Sequence, residues 1–559
     1  MTTPIPSQKV FSDMAPPETI TSEPHRSGVE PFDATVEDDV DMQRMGKVPE
    51  LKRRFRYYTT LFFVTVLTAT WEYLLIANTT ALVDGGRAGF FWSLVWSIAG
   101  MTLVTFSLAE MSSMAPTSGG QYHWVSEFAP VRYQKFLSYM SGWLSTMAWQ
   151  AATASSGTLI GGIIQALISL NNPNYASPPW QLFLLAIAVM LSINLFNIYG
   201  GPLLAPMGNP MMFLHVALFV VIIAIFWALG PTVSAREVFV ELSNTGGWSS
   251  IGLALCVGQV SAIFGLMFGD ADHSLKFETS AHMSEEVQDA AVSVPKSMVY
   301  SFVINSFMGL VLVVSYLFAL PSVDDAVAES SGFAFLYVFQ QAMPVKGVNA
   351  VTALLVIVLY WSCTTFNSSA SRETWSFARD KGLPFSNWIG HVDVKRQIPT
   401  NAIWLSLILS CLMNMIVLGS TAAFNALISL QVVALMATYI ISISCVLWRR
   451  ICLPETLPLC RWSLGRWGIV VNGLSLCYTA FAFFWCFWPQ GTPVELDSVN
   501  WSPVMFVGVM VVSVVLFAVQ GRKVYEGPVV SVESYKRDAT RSIEGVMPKE
   551  EVNMTEKTL

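Results

Sequence analysis

The stretch from Phe264 to Val287 holds the densest group of side chains capable of acid–base or metal chemistry. Its acidic residues and histidines are Asp270, Asp272, His273, Glu278, His282, Glu285 and Glu286. Histidines with carboxylates can bind a metal ion, and neighbouring carboxylates can act as general acid and base. The same composition also suits a chain that leaves a membrane and enters water. The spans around the stretch must distinguish these three interpretations.

A second candidate is Glu72, which stands alone in the apolar run TATWEYLLIANTT. If this run crosses a membrane, Glu72 lies near its middle, where an ionisable group is costly unless it is paired or hydrated. Two functional roles fit: an anion for a substrate ammonium group, or a proton carrier whose pKa is raised by burial. A structural hydrogen bond to a neighbouring helix is the alternative.

Composition shows which elements position these residues. Of the 559 residues, 53% are hydrophobic and 12% are charged, about half the charged share of a soluble domain. No Asp, Glu, Lys or Arg occurs between Lys135 and Arg236, or between Arg396 and Arg449. A bilayer requires about 20 apolar residues per helical span. The sequence therefore predicts an all-α polytopic membrane protein, and the first stretch marks the exit of a chain from the membrane.

Uncharged runs predict about twelve transmembrane helices. They lie near 59–82, 88–109, 136–168, 180–200, 210–230, 250–269, 297–320, 348–370, 400–419, 422–448, 467–489 and 501–521. The run at 136–168 exceeds the bilayer thickness and must tilt or project beyond it.

The distribution of basic residues predicts the orientation. Alternate connections carry most of the Lys and Arg, as do the segments before the first helix and after the last. Such an excess marks the cytoplasmic side, so both termini are predicted to be cytoplasmic. Residues 1–50 and 526–559 are polar, without apolar periodicity, and are predicted to be disordered tails of a membrane domain at 51–525.

Other functional classes lack their signatures. The eight cysteines form no CxxC, and the sequence has no HExxH motif or Walker loop, so zinc, protease and ATPase functions are not indicated. No nucleophile, base and acid converge as in an enzyme. Neither a metal, a cofactor nor a nucleic-acid partner is expected.

Three motifs carry a family resemblance: SLAEMSSMAPTSGGQYHWVSEFAP at 107–130, AHMSEEVQDAAVSVPKSM at 281–298 and ASRETWSFARDKGLPFSNW at 370–388. They resemble fungal amino acid permeases, and more narrowly the amino acid/choline (GABA/choline permease-like) branch of the amino acid–polyamine–organocation (APC) superfamily. The resemblance covers about 50–525. It is specific for the family but not for the substrate.

The resemblance implies a LeuT-like fold with two inverted repeats of five helices, followed by two further helices. It implies that helices one and six break at mid-membrane, the first near Ala69, and that residues at the breaks bind the substrate. The positions are Thr70, Trp71, Glu72, Phe264 and Gly265.

Two further expectations follow from the resemblance. At the cytoplasmic end of the eighth helix, Arg372, Arg379 and Asp380 are candidates for gate ion pairs, with ordinary surface pairs as the alternative. The nine residues FGDADHSLK at 268–276 depart from the family pattern, either as a loop insertion or as an error in the gene model.

The sequence thus predicts a fungal secondary active transporter of a small amine-bearing solute, such as an amino acid, GABA or choline, coupled to protons. Broken-helix amides would hold a carboxylate, and Trp71 would give a cation–π contact to an ammonium group. The plasma membrane is the expected location, with the vacuole or another internal membrane as the alternative. Two other functions remain open: a transporter, for import or export, of an amine-containing secondary metabolite or alkaloid, and a non-transporting nutrient sensor with this fold.

Overall fold

The uncharged runs of the chain fold into long helices. The computed structural model describes residues 35–45, 47, 51, 53–172, 174–268, 283–329, 331–393, 395–418, 422–458, 460–494, 499–525 and 527–528. In this part of the chain, 11 helices are long and apolar enough to cross a membrane, and a shorter apolar helix, Ile251–Leu266, lies where the sixth span was predicted. The prediction of an all-α polytopic membrane protein with about twelve transmembrane helices is confirmed.

The first span consists of two helices, Tyr57–Thr68 and Thr70–Ile76. The second to twelfth spans are Gly86–Met114, Val131–Asn171, Pro179–Tyr199, Leu204–Leu229, Ile251–Phe268, Ala290–Ala319, Val345–Arg379, Thr400–Asn414, Ala422–Cys452, Gly468–Trp485 and Ser502–Leu516. Shorter α-helices are Val36–Arg44, Thr79–Val83, Gly120–Phe128, Ala235–Phe239, Val323–Val327, Ala334–Ala342, Ser386–Ile389 and Arg522–Val524. Single turns of other helix types are Gly201–Leu203, Ser284–Glu286, Met415–Leu418, Pro454–Thr456, Gly465–Trp467 and Phe517–Gly521.

Because the number of spans is even, the chain enters and leaves the membrane domain on the same side. Lys135, at the start of the third span, donates a hydrogen bond to the carbonyl of Arg522 after the twelfth, at 2.8 Å. We call this side the terminal face and the other side the opposite face. The third span has 41 residues, or about 60 Å at 1.5 Å per residue. It is therefore longer than the bilayer is thick, as predicted.

Part of the N-terminal segment is ordered, which corrects the expectation of disorder through residue 50. Val36–Arg44 is a helix that begins with a capping box: Asp38 donates its backbone N–H to Thr35 Oγ1 at 3.2 Å, and its carboxylate accepts the Thr35 N–H at 3.3 Å. Reciprocal bonds of this kind satisfy donors that a helix start leaves unpaired. The tail prediction for 526–559 falls mostly outside the described residues.

Candidate functional site

The first span is interrupted at Ala69, where the resemblance placed the break. Ala69 adopts the left-handed conformation, with φ 42° and ψ 37°, and this conformation ends one helix and starts the next. The interruption frees backbone groups that need other partners. The Leu67 carbonyl accepts the hydroxyl of Ser362 at 2.6 Å, and Asn305 donates to the Thr68 hydroxyl oxygen at 2.7 Å. Side chains of the seventh and eighth spans therefore hold the break.

Glu72 is fully buried and pairs with a histidine of the fifth span. Glu72 Oε1 lies 2.7 Å from His215 Nδ1, and both side chains are 0% exposed. Trp71 packs beside the pair: its ring centroid lies 5.6 Å from that of His215 and 6.0 Å from that of Phe219. The remaining polar atoms, Glu72 Oε2 and His215 Nε2, have no hydrogen-bond partner among the described residues.

The sixth span does not break at the expected residues. Ile251–Phe268 is one continuous helix that passes through both Phe264 and Gly265. A Cβ atom on Gly265 would lie 2.3 Å from Leu74 Cδ2, so this glycine allows the sixth span to approach the second half of the first. The proposed insertion at 268–276 lies outside the described residues, apart from the helical backbone of Phe268.

A cavity of about 520 Å³ opens toward the opposite face. Its wall combines the first, third, sixth and tenth spans with loops of the opposite face, through residues such as Ile76, Thr158, Phe264, Val432 and Ser331. Of the five predicted substrate-binding residues, only Phe264 lines it. No charged side chain of the described residues is part of the wall.

Arginines of the eighth span form buried ion pairs at the terminal face. Arg372 Nε lies 2.9 Å from Glu286 Oε1, with both side chains at most 6% exposed. Arg379 forms two hydrogen bonds with Glu285, at 3.0 and 2.9 Å. Bidentate pairs of this kind are strong and geometrically specific. Ordinary surface pairs, the alternative interpretation, would be exposed to solvent, whereas these two pairs are largely buried. From the sequence we expected Glu285 and Glu286 to be solvated loop residues, but their side chains are also buried.

Asp380, the third predicted gate residue, pairs with Lys47 of the N-terminal segment. It also accepts a hydrogen bond from the Tyr122 hydroxyl at 3.0 Å. Burial alone would raise the pKa of Asp380, but the charges of Lys47 and Arg379 outweigh it and hold this pKa below its usual value. Arg379 and Lys47 likewise lower the pKa of Glu285 against the effect of its burial. A carboxyl group whose pKa is lower in the folded protein than in the unfolded chain stabilises the fold at pH values above the unfolded pKa. This stabilisation is lost as the pH falls through the folded pKa.

The rest of the N-terminal segment docks on the chain that leads into the seventh span. The carboxylate of Asp38 accepts the backbone N–H groups of Asp289 and Ala290, at 2.9 and 3.0 Å. Arg53 lies 3.3 Å from the same carboxylate and donates to the Ser284 carbonyl at 3.1 Å. The segment 35–56 therefore contacts both the seventh and the eighth span.

Sequence reasoning missed His215, although a signal was present. It is the only residue between Lys135 and Arg236 whose type can change charge near neutral pH. A count of Asp, Glu, Lys and Arg alone does not include it. Glu285, Glu286 and Lys47 were missed as gate partners for another reason. Their pairing depends on contacts between segments far apart in the chain.

A multi-pass helical core with a broken first span, a cavity on one face and buried ion pairs on the other is the architecture of a membrane transporter. A sequence model of the amino acid permease family matches residues 57–514. The chain belongs to this family, within the APC superfamily, and is a transporter.

Individual relatives are similar over most of their length. A putative amino acid/polyamine transporter of Macrophomina phaseolina is 26% identical, over 78% of this chain and 95% of the relative. The choline transporter of Saccharomyces cerevisiae is 25% identical, over 88% of this chain and 87% of the relative. A crystal structure of the Eremococcus coleocola manganese transporter aligns with a TM-score of 0.50 at 14% identity, over 83% of this chain and 94% of that one. This likeness concerns the fold alone and agrees with the LeuT-like core.

Proposed function

We propose that this protein is a secondary active transporter that moves a small amine-bearing solute, an amino acid, GABA or choline, together with protons. The observation that carries the proposal is an asymmetry along the membrane axis. A cavity opens to the opposite face, whereas the terminal face is closed by the buried pairs of Arg372, Arg379 and Asp380. This is the arrangement expected of one state in an alternating-access cycle.

The cavity supports a small substrate. Its volume of about 520 Å³ lies within the usual range for small-molecule sites. Its wall is mainly apolar, with hydroxyl and amide groups from residues such as Thr158, Gln165 and Ser261. Among similar proteins, the names of the M. phaseolina and S. cerevisiae relatives refer to amino acids, polyamines and choline. An amine-bearing solute is the class that these names share.

In this proposal the terminal face is cytoplasmic, because the connections on that side carry most of the Lys and Arg. The ion pairs of Arg372, Arg379 and Asp380 form the cytoplasmic gate. They must separate for the solute to leave toward the cytosol. Phe264 contributes to the cavity wall, and Thr70, Trp71, Glu72 and Gly265 lie in or beside the broken first span, outside that wall.

Uptake in a permease-deficient yeast tests the proposal. Cells that express the protein are given labelled GABA, choline, proline or polyamines, with and without a proton uncoupler, and are compared with cells carrying an empty vector. We expect saturable uptake of at least one solute and its loss with the uncoupler. Uptake that persists with the uncoupler would contradict proton coupling. No uptake of any solute by correctly located protein would favour a sensor.

A further inference from the structure

We propose that Glu72 and His215 together form a proton-binding site, and that the proton which drives transport resides on this pair. The inference rests on the proposed function and names the residues that would couple it to protons. Their side chains come from different spans, meet at 2.7 Å and are both fully buried. The pair joins the broken first span to the fifth.

The charge balance of the pair explains why it would hold one proton. A carboxylate beside a neutral imidazole has a net charge of about −1. One additional proton, shared between the two groups, makes the pair neutral. Loss of that proton leaves a negative charge in an apolar environment, and addition of another leaves a positive one, and both are disfavoured by burial. The occupancy of the site therefore changes only when the conformation or a bound solute changes its surroundings.

The surroundings leave the pair electrically isolated. On the helices that pack against the first and fifth spans, the charged side chains lie within about two turns of the helix ends. These residues are Lys296, Lys346, Arg372, Glu373 and Arg379. Tyr73, which follows Glu72 in the sequence, is also titratable, and its Oη atom lies 3.9 Å from Cys363 Sγ. Within the described residues, neither Glu72 nor His215 forms another ion pair or side-chain hydrogen bond.

The site lies where movement of the span would alter it. Glu72 is three residues after the left-handed Ala69 and four residues before Ile76, which lines the cavity. The two free atoms, Glu72 Oε2 and His215 Nε2, are one acceptor and one ring nitrogen that can exchange a proton. A small rotation of the helix Thr70–Ile76 about the break changes access to both atoms.

Transport in proteoliposomes separates coupling from substrate binding. The purified protein is reconstituted with the membrane potential clamped at zero, and uptake is driven by a gradient of one pH unit. For one proton per solute, this gradient sustains about tenfold accumulation. We expect Glu72→Gln, His215→Asn and the double variant each to lose the accumulation, while solute exchange without a gradient stays within about twofold of wild type. Equal losses in the three variants would indicate that the residues act as one unit.

His123→Asn is the matched control. His123 is also a buried histidine beside a glutamate, with its Nε2 3.9 Å from Glu127 Oε2, but it lies in the short helix Gly120–Phe128 outside the spans. Burial lowers its pKa to about 3, so it stays neutral. We expect this variant to retain the accumulation. Accumulation near tenfold in Glu72→Gln or His215→Asn would overturn the proton site.

A spectroscopic readout does not depend on transport. Infrared difference spectra between acidic and alkaline buffer report protonation of a buried carboxyl group. We expect a band that disappears in Glu72→Gln and shifts in His215→Asn; if Glu72→Gln does not fold, Glu72→Asp should shift it. A band unaffected by these variants, or no such band, would overturn the proton site. If the wild type carries none of the solutes, the proposed function fails, and the spectra still decide whether this site exists.

Discussion

Asp84 is a buried carboxylate at the opposite face without a cationic partner among the described residues. Its Oδ1 accepts a hydrogen bond from the indole of Trp248 at 3.1 Å, and its Oδ2 has none. A Cβ atom on Gly246 would lie 1.9 Å from Oδ1, so only glycine fits there. Burial raises the pKa of Asp84 to about 7.

This raised pKa predicts how stability depends on pH. As the pH rises, the unfolded chain releases the Asp84 proton near its pKa of about 3.9. The folded protein keeps this proton until about pH 7. The contribution of Asp84 to the unfolding free energy should therefore fall as pH rises from about 4 to 7 and then level off. We expect Asp84→Asn, which keeps the acceptor for Trp248, to be more stable than wild type at about pH 8 and equal to it at about pH 4. The difference at pH 8 should be a few kcal/mol, because each pKa unit corresponds to about 1.4 kcal/mol.

Melting temperatures of the purified protein between these pH values check the prediction. Asp324→Asn is the control, because Asp324 is an exposed carboxylate at the same face, and it should leave the profile unchanged. The same pH dependence in wild type and Asp84→Asn would contradict the assignment.

At the scale of elements, the N-terminal segment acts as a strap across the terminal face. Lys47 holds Asp380 at the end of the eighth span, and Asp38 holds the start of the seventh. Both Lys47 and Asp380 are about nine-tenths buried. Removing one partner of a buried ion pair costs about 3–5 kcal/mol, whereas removing both costs much less.

We therefore expect Lys47→Ala to destabilise the protein by about 3 kcal/mol, and Lys47→Ala with Asp380→Asn to recover most of this loss. Thermal unfolding in detergent measures both effects. Lys346→Ala removes an exposed lysine at the other end of the eighth span and should have no effect. A double variant that is less stable than Lys47→Ala would show that the two residues do not act as a pair.

For the whole molecule, the testable property is its orientation. Ser322 follows the seventh span at the opposite face, and Ser386 follows the eighth at the terminal face. A cysteine at Ser322 should react with an impermeant thiol reagent on intact cells, and a cysteine at Ser386 only after permeabilisation. Exposed Cys452 is replaced by serine in both variants. The reverse pattern would overturn the orientation that the Lys and Arg distribution predicts.

How much of this molecule could be predicted depends on the range of the interactions. The spans follow from local composition, because a bilayer excludes charge over about 20 residues, and the break at Ala69 followed from the family resemblance. The partners of Glu72, Arg372 and Arg379 could not be predicted, because each pair joins distant parts of the chain. Glu285 has the same sequence neighbours whether it is solvated or buried, so only the fold distinguishes the two.

The contact between the N-terminal segment and the start of the seventh span also sets an order in time. Asp38 and the N–H of Asp289 are separated by 251 positions. A ribosome that adds about 5–20 residues per second needs roughly 10–50 seconds to make the chain between them. Throughout that interval Asp38 and Arg53 have partners only within the N-terminal segment, and Asp380, the partner of Lys47, is not yet made. A chain that stops before the seventh span never supplies the other partners. Newly made and truncated proteins thus expose the same charged segment, and only completion of the second half buries it.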